Sequence, residues 1–359
     1  MAGNSIGKLL VLTSFGESHG KGVGGVLDGF PAGIPIDTVW IEKQLQKRRS
    51  GGKAGNTDRR EPDRVTFLSG ISNGKSTGAP IAFWIENRDV RHEGYQEGVF
   101  KPSHAAYTYW RKYGYYAYDG GGRASARETA VRVVGGALAQ GLLLRERIRV
   151  HAFTRQVGPV RYEVENRDVP LDKIDDYSLF CPDADCNCRM EEYISSIMAE
   201  NNSCGALVGC IATHLPIGLG MPVNHKLQAD LAQAVMGINA AKGFELGEGF
   251  RAAGMKGSEY NDLFDANYRL RSNHDGGIQG GLSNGENICF TVAFKPIPGI
   301  SQPQESCNEK GEKALLQNNG RNDSCVVPRV IPVVEAMTAL VLADHLLMYK
   351  AYHDYSYQP

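Results

Sequence analysis

The stretch Gly120–Leu143, "GGGRASARETAVRVVGGALAQGLL", decides how this chain is read. Three glycines run straight into a helix start. "SARE" has the spacing of a capping box, in which the Ser125 hydroxyl takes the Glu128 amide and the Glu128 carboxylate reaches back. Ala130, Val133, Val134, Ala137, Leu138, Gly141 and Leu142 follow at helical spacing, so one face is expected to be buried. Gly135 and Gly136 cost helix propensity and predict close packing against a neighbour. The glycine loop ahead of the helix offers unpaired amides and positive dipole charge, which suit phosphate, and Arg123 and Arg127 add forked donors. It is not a dinucleotide fingerprint, because the glycines are consecutive, nor a P-loop, because no Gly-Lys-Ser/Thr closes it.

Outward from this helix, two more are expected. One spans 226–237 with Leu227, Leu231, Ala234 and Val235 inward, and one begins near Pro332 and runs through "VVEAMTALVLADHLLMYKAY". Six segments read as strands: "KLLVLTSF", "RVTFLSG", "PIAFWIEN", "IRVHAFTRQVG", "LVGCIATHLP" and "NICFTVAFKP". Strands and helices mix along the whole chain, so the class is mixed α/β. Length alone permits two domains or one large one, but no tether, low-complexity tract or fixed-period repeat divides the 359 residues. The last residues, "YHDYSYQP", have no apolar face and read as a loose tail. Glycine clusters at 20–33, 48–56, 119–125 and 275–281, which reads as four loops walling one site.

Composition narrows the function classes. Net charge is −1, from 39 basic and 40 acidic side chains, so no global basic field argues for nucleic acid. The apolar runs "LLVL" and "ALVLA" are too short to span a bilayer. "MAGNSIGK" has no charged and then apolar signal pattern, so a cytoplasmic protein is expected. The eight cysteines are expected to be reduced thiols, since the "CPDADCNC" cluster lacks zinc spacing.

Nine histidines are present, and two stand out. His19, in "FGESHGKGVGG", and His104, in "KPSHAAYTYWRKYG", lie among glycine or proline turns and small residues that leave an imidazole accessible. The run "KRRSGGKAGNTDRRE" packs six cations into fourteen residues, Lys47 to Arg60. It has no apolar anchor and is expected to order over an anion. Two histidines, several arginines and four glycine loops together point to a multiply anionic ligand with acid–base groups beside it. Neither a nucleophile elbow nor a zinc-protease motif is present.

Seven blocks then resemble chorismate synthases, in that family's order: "GESHGKGVGGVLDGFPAG", "NTDRREPD" (56–63), "KPSHAAYTYWRKYG" (101–114), "GGGRASARETAVRVVGGA" (120–137), "INAAKGFELGEGF" (238–250), "SNHDGGIQGGLSNGE" (272–286) and "GRNDSC" (320–325). The resemblance covers nearly the whole chain and leaves no room for an attached flavin reductase domain. It implies a single large domain over 1–350, a tail over 351–359, and a sandwich of long helices layered with antiparallel sheets. It implies a carbon–oxygen lyase converting 5-enolpyruvylshikimate 3-phosphate to chorismate and phosphate in the shikimate pathway. That reaction is an anti-1,4-elimination requiring reduced FMN, with reducing equivalents from NADPH through a separate reductase. It also implies a cytoplasmic homotetramer with no nucleic-acid, membrane or metal partner.

By the same resemblance, His19, His104 and Asp323 are the acid–base residues. Arg123, Ala124, Ser125, Asn239, Ala240, Gly280, Lys295, Pro296, Ile297, Pro298, Gly299 and Arg321 match cofactor-binding positions. Arg48, Arg49, Lys101 and Arg127 match substrate clamps. The sequence departs from the family pattern at Lys101, where Arg is common, and at Ala54. "KPIPGI" lacks the usual Ser and Thr, and "RND" replaces Arg-His-Asp. The alternative from another class is a flavin-binding oxidoreductase or sensor, which would consume reduced flavin where an elimination catalyst would not.

Overall fold

Alternation sets the first sheet: Ile81, Phe83 and Ile85 are buried, and Ala82 and Trp84 between them are half-buried. The computed structural model describes residues 3–50, 55, 59–90, 96–117, 120–317 and 322–353. This sheet contains β1 (Ser5–Ile6), β2 (Val11–Gly16), β3 (Gly22–Asp28), β4 (Val65–Phe67) and, after a small hairpin of β5 (Ile71–Ser72) and β6 (Lys75–Ser76), β7 (Ile81–Glu86). Its order is β1-β2-β3-β7-β4, antiparallel throughout. The second sheet takes β8 (Arg149–Val157), β9 (Val160–Arg161), β10 (Ala206–Thr213), β11 (Ala241–Leu246) and, after the hairpin of β12 (Ile278–Gln279) and β13 (Leu282–Ser283), β14 (Ile288–Phe294). Its order is β11-β14-β10-β8-β9, again antiparallel. A last hairpin pairs β15 (Gln304–Cys307) with β16 (Lys313–Leu316).

The helices are α1 (Thr38–Arg48), α2 (Ala106–Tyr113), α3 (Thr129–Leu144), α4 (Ala184–Ala199), α5 (Leu227–Met236), α6 (Gly257–Tyr260) and α7 (Ile331–His353). Four contacts order the layers. A Cβ on Gly25 of β3 would fall 2.6 Å from Val131 of α3, so the first sheet lies directly on α3. A Cβ on Gly136 of α3 would fall 2.2 Å from Ala336 of α7, so the two helices touch at backbone distance. Glu335 of α7 accepts the Ala152 amide of β8 at 3.0 Å, and Thr338 meets Cys210 of β10. The result is sheet, helix, helix, sheet, with one continuous core, which is the expected α+β sandwich.

All six expected strands form, and α5 buries the four residues read as inward. Three expectations change. The glycine stretch 20–33 is not only a loop, because Gly22–Asp28 is the central strand of its sheet. Its glycines let Phe15, Trp84 and Val131 press on the backbone, a tertiary reason with no period-2 signal. The capping box at Ser125 does not close: Ser125 Oγ accepts from Arg127 N, a 3-10 turn over Ala126–Glu128 intervenes, and α3 starts at Thr129. Glu128 turns instead to Arg132 at 2.8 Å. The chain also stays helical through His353, past the expected start of the tail at 351; residues 354–359 lie outside the described residues.

The segment Ile331–Tyr352 is long and apolar enough to cross a membrane, contrary to the sequence expectation, yet 94% of its apolar window is buried inside the fold. It is the core helix between the sheets. The eight cysteines are all free, as expected.

Glu335 lies in that core, and burial pushes its carboxyl from 4.5 up to about 7, against an opposing pull from Lys47. A raised carboxyl keeps its full contribution below pH 4.5 and loses it as pH climbs to about 7. Glu335→Gln keeps an acceptor for Ala152 and has no charge to bury. It should match the native protein near pH 4.5 and exceed it at pH 8 by up to about 3 kcal/mol. Melting temperature against pH is the measurement; parallel curves for the two proteins would rule this out.

Candidate active site

The turn between β2 and β3 carries Glu17, Ser18 and His19. Asn87, just past β7, pins it with one amide group: Nδ2 donates to the carbonyls of Glu17 (2.9 Å), Ser18 (3.1 Å) and Gly20 (2.8 Å). The Asn87 Oδ1 accepts from Arg127 Nε at 2.7 Å, so one side chain ties the histidine turn to an arginine. Arg59 donates to both Ser18 Oγ and Ser18 O at 3.2 Å, and is itself paired with Glu61 at 2.7 Å. Ser18 Oγ lies 3.1 Å from His19 Nδ1.

The three-glycine loop explains how the second histidine arrives. Gly120 has φ +90°, and a Cβ there would sit 1.9 Å from the His19 ring. Gly121 has φ +77°, and a Cβ there would come within 3.4 Å of His104. Two imidazoles 85 positions apart in the chain (104 − 19) therefore flank adjacent glycines of one loop. His104 Nδ1 lies 3.3 Å from the Tyr116 hydroxyl. Burial, then Lys101 and Lys295, lowers the His104 pKa to about 4, so its ring is neutral near pH 7. Burial also lowers Lys101.

These residues line a cavity of about 450 Å³. Six cations reach its wall (Arg48, Arg59, Arg127, Arg329, Lys101 and Lys295) against three carboxylates, Glu61, Asp63 and Asp323. Arg48 is buried, and burial, then Arg329, brings it down to about 9. Its guanidinium donates to Thr129 Oγ1 at 3.0 Å and Ala126 O at 2.7 Å. Asp323 pairs with Arg329, which also donates to the Arg48 carbonyl at 3.3 Å.

Of the positions expected from sequence, Ala124, Ser125, Asn239, Ala240, Lys295, Ile297, Pro298 and Gly299 line the cavity, together with His19, His104, Asp323, Arg48, Lys101 and Arg127. Four lie elsewhere. Arg123 turns away from the cavity and holds β2, donating to Gly16 O, Ser14 Oγ and Asn4 Oδ1. Arg49 donates to the Pro62 carbonyl. Pro296 packs toward Gly205. Gly280 lies in the β12–β13 turn, outside the wall. Arg321 lies outside the described residues, as do 51–54 and 56–58 of the basic run. Sequence reading passed over Asp63, Asn87, Tyr116 and Arg329 as site residues: Asp63 closes the block 56–63 with no role assigned to it, and the other three lie outside all seven blocks.

Arg123 makes a different prediction from its position. Arg123→Ala should cost about 1–3 kcal/mol of stability by releasing β2. Thermal unfolding with parallel flavin titration decides; an unchanged melting point with weakened flavin binding would mean that the guanidinium serves the ligand directly.

The wall suits a planar anionic cofactor. Asn239 Nδ2 is spent on Ala124 O at 3.0 Å, while its Oδ1 is buried with no hydrogen-bond partner. That leaves an acceptor available to a ligand N–H. Ala105, Gly120, Gly121, Ala124, Ala240 and Gly299 give the same wall small side chains or none.

Residues 10–347 match the family model described as chorismate synthase. The chain belongs to the chorismate synthase family. It is 47% identical to the chorismate synthase of Christiangramia forsetii over 98% of this chain and 99% of that one. It is 49% identical to that of Bacteroides fragilis (96% and 98% covered) and 50% identical to that of Porphyromonas gingivalis (96% and 95%). A crystal structure of chorismate synthase superposes with a TM-score of 0.78 at 30% identity, covering 98% of each chain. The two-sheet, two-helix sandwich described above is thus shared with a solved chorismate synthase.

Proposed function

We propose that this chain converts 5-enolpyruvylshikimate 3-phosphate to chorismate and phosphate by anti-1,4-elimination, with reduced FMN bound and no net redox change. The observation that carries this reading is the meeting of His19 and His104 across Gly120–Gly121 in a cavity ringed by six cations. A substrate with a carboxylate pair and a phosphate, beside an anionic cofactor, needs such a ring in a chain whose net charge is only −1.

Arg48, Arg127 and Lys101 bind the substrate anions. Lys101 acts as a point charge without a fork. Ala124, Ser125, Asn239, Ala240, Lys295, Ile297, Pro298 and Gly299 would hold the flavin, with Asn239 Oδ1 as an acceptor for a ligand N–H. Reduced flavin, if bound there, would supply the transient electron density that breaking the C–O bond to phosphate requires. His19 donates a proton to the departing phosphate. His104, whose pKa burial and then Lys101 and Lys295 lower, would gain affinity for a proton beside an anion and so would balance an anionic flavin. Asp323 moves a proton near the flavin, with Arg329 holding it in place.

The reading extends to a cytoplasmic homotetramer supplied with reduced FMN by a separate NADPH-dependent reductase. Phe250, Tyr268, Val223 and Ile217, each at least 70% exposed, are apolar surface for subunit contacts. Sedimentation velocity tests the tetramer.

The functional test is anaerobic phosphate release with photoreduced against oxidised FMN. Release in many turnovers per reduced flavin supports the elimination. Flavin oxidised in step with product would favour the oxidoreductase reading, and no release with either form would overturn the proposal.

A further inference from the structure

Arg48 and Arg127 are drawn from α1 and from the turn before α3, and one side chain joins them. Asp63 Oδ2 lies 3.5 Å from Arg48 Nη1, and Asp63 Oδ1 accepts from Arg127 Nη1. The carboxylate is fully enclosed, with a side-chain exposure of 0%, yet Asp63 belongs to the cavity wall. Its backbone is left-handed, at φ 46°, a conformation that non-glycine residues adopt rarely and at a cost. Burial alone would raise its pKa, but Arg48 and Arg127 outweigh burial and hold it low, so it is an anion at working pH.

We propose that Asp63 is a positioning residue for substrate: its bridging carboxylate sets the spacing of the Arg48 and Arg127 guanidiniums and aims their remaining N–H groups into the cavity. This rests on the reading of the site given above. A guanidinium has five N–H donors. Arg48 places one each on Thr129, Ala126 and Asp63, and Arg127 one each on Asn87, Glu86 O and Asp63. Two donors remain on each, and the bridge fixes both planes at once. Arg48 also faces Arg329, Arg127 and Arg59, all of which disfavour its charge; Asp63 is the neighbour that supports it. Glu61 and Asp323 are already paired with Arg59 and Arg329.

The charge and the bridge pull in opposite directions, which makes the test decisive. An anion beside the pocket repels an anionic substrate, so if Asp63 acted only as a charge, its removal would tighten binding. If it acts as a bridge, its removal loosens two clamps and weakens binding. The experiment compares Asp63→Asn and Asp63→Glu with the native protein. Substrate binding is measured by calorimetric titration of 5-enolpyruvylshikimate 3-phosphate, alongside KM, kcat and flavin affinity between pH 6.5 and 9.5.

Asp63→Asn is expected to weaken substrate binding and raise KM about 10-fold or more, the scale of one charge-assisted hydrogen bond, with a smaller effect on kcat. The rise in KM should be smaller in Asp63→Glu, which keeps a carboxylate between the two guanidiniums. Flavin affinity should be unchanged in both. Tighter or unchanged substrate binding in Asp63→Asn would overturn the proposal. So would equal losses in the two variants. If Asp63→Asn does not fold, Asp63→Glu decides: a raised KM at native flavin affinity supports the bridge, and a native or lowered KM overturns it. Native protein that binds the phosphate ester without releasing phosphate would sink the assigned reaction and leave the bridge to be judged on binding alone.

Discussion

His19→Ala releases phosphate about 10²–10⁴-fold more slowly than the native protein while binding reduced FMN almost normally. Phosphate leaves poorly as a trianion, so a proton delivered to the bridging oxygen speeds C–O cleavage. Imidazole is the side chain whose ordinary pKa falls nearest neutrality. His19 reaches the cavity on a turn held by Asn87 and Arg59, with Ser18 Oγ 3.1 Å from its Nδ1. The measurement is single-turnover phosphate release under anaerobic conditions, with reduced flavin titrated into each variant. His104→Ala is the control: it should alter the spectrum of bound reduced flavin as well as the rate. A fully active His19→Ala enzyme would remove the acid role, and equal flavin perturbation in both variants would end the division of labour.

Gly120→Ala should lose about 10²-fold in the same assay, although it leaves every acid–base group in place. The added methyl would sit 1.9 Å from the His19 ring, and a backbone at φ +90° is strained for any L side chain. Either the loop or the imidazole must move by about an ångström, and misplacement on that scale costs about 10² in rate. Melting temperature separates this from unfolding. If the variant kept native turnover, the packing of the glycine loop against His19 would have no part in catalysis. Gly121→Ala meets His104 at a looser 3.4 Å, so its loss should be smaller and should show in the flavin spectrum.

Much of the site was legible because its signals are local. The blocks around His19, His104 and Ser125 carry the family's residues in order, and the matched region 10–347 bears out that recognition. Helices α3 and α5 announced themselves by apolar periodicity, α7 by a long apolar segment after Pro332, and six strands by short apolar runs. Other features were hidden for physical reasons. Arg123 looked like a ligand contact because it follows three glycines, but Ser14 and Gly16 compete for it across the β2 edge. Gly22–Asp28 looked like loop because glycine has no strand propensity, yet neighbouring rings and Val131 demand its missing side chains.

The amino-acid sequence by itself determined the class, the family and the two histidines, since each rests on residue types within a few positions of one another. Only the tertiary structure decided that His19 and His104 flank adjacent glycines, that Asp63 bridges two buried guanidiniums, and that α3 and α7 touch through Gly136 and Ala336. Those facts depend on which distant segments share a boundary. Periodicity and capping report a residue's neighbours within one or two turns, whereas buried charge pairing and backbone-distance packing are settled when the two sheets close over their helices and water is excluded.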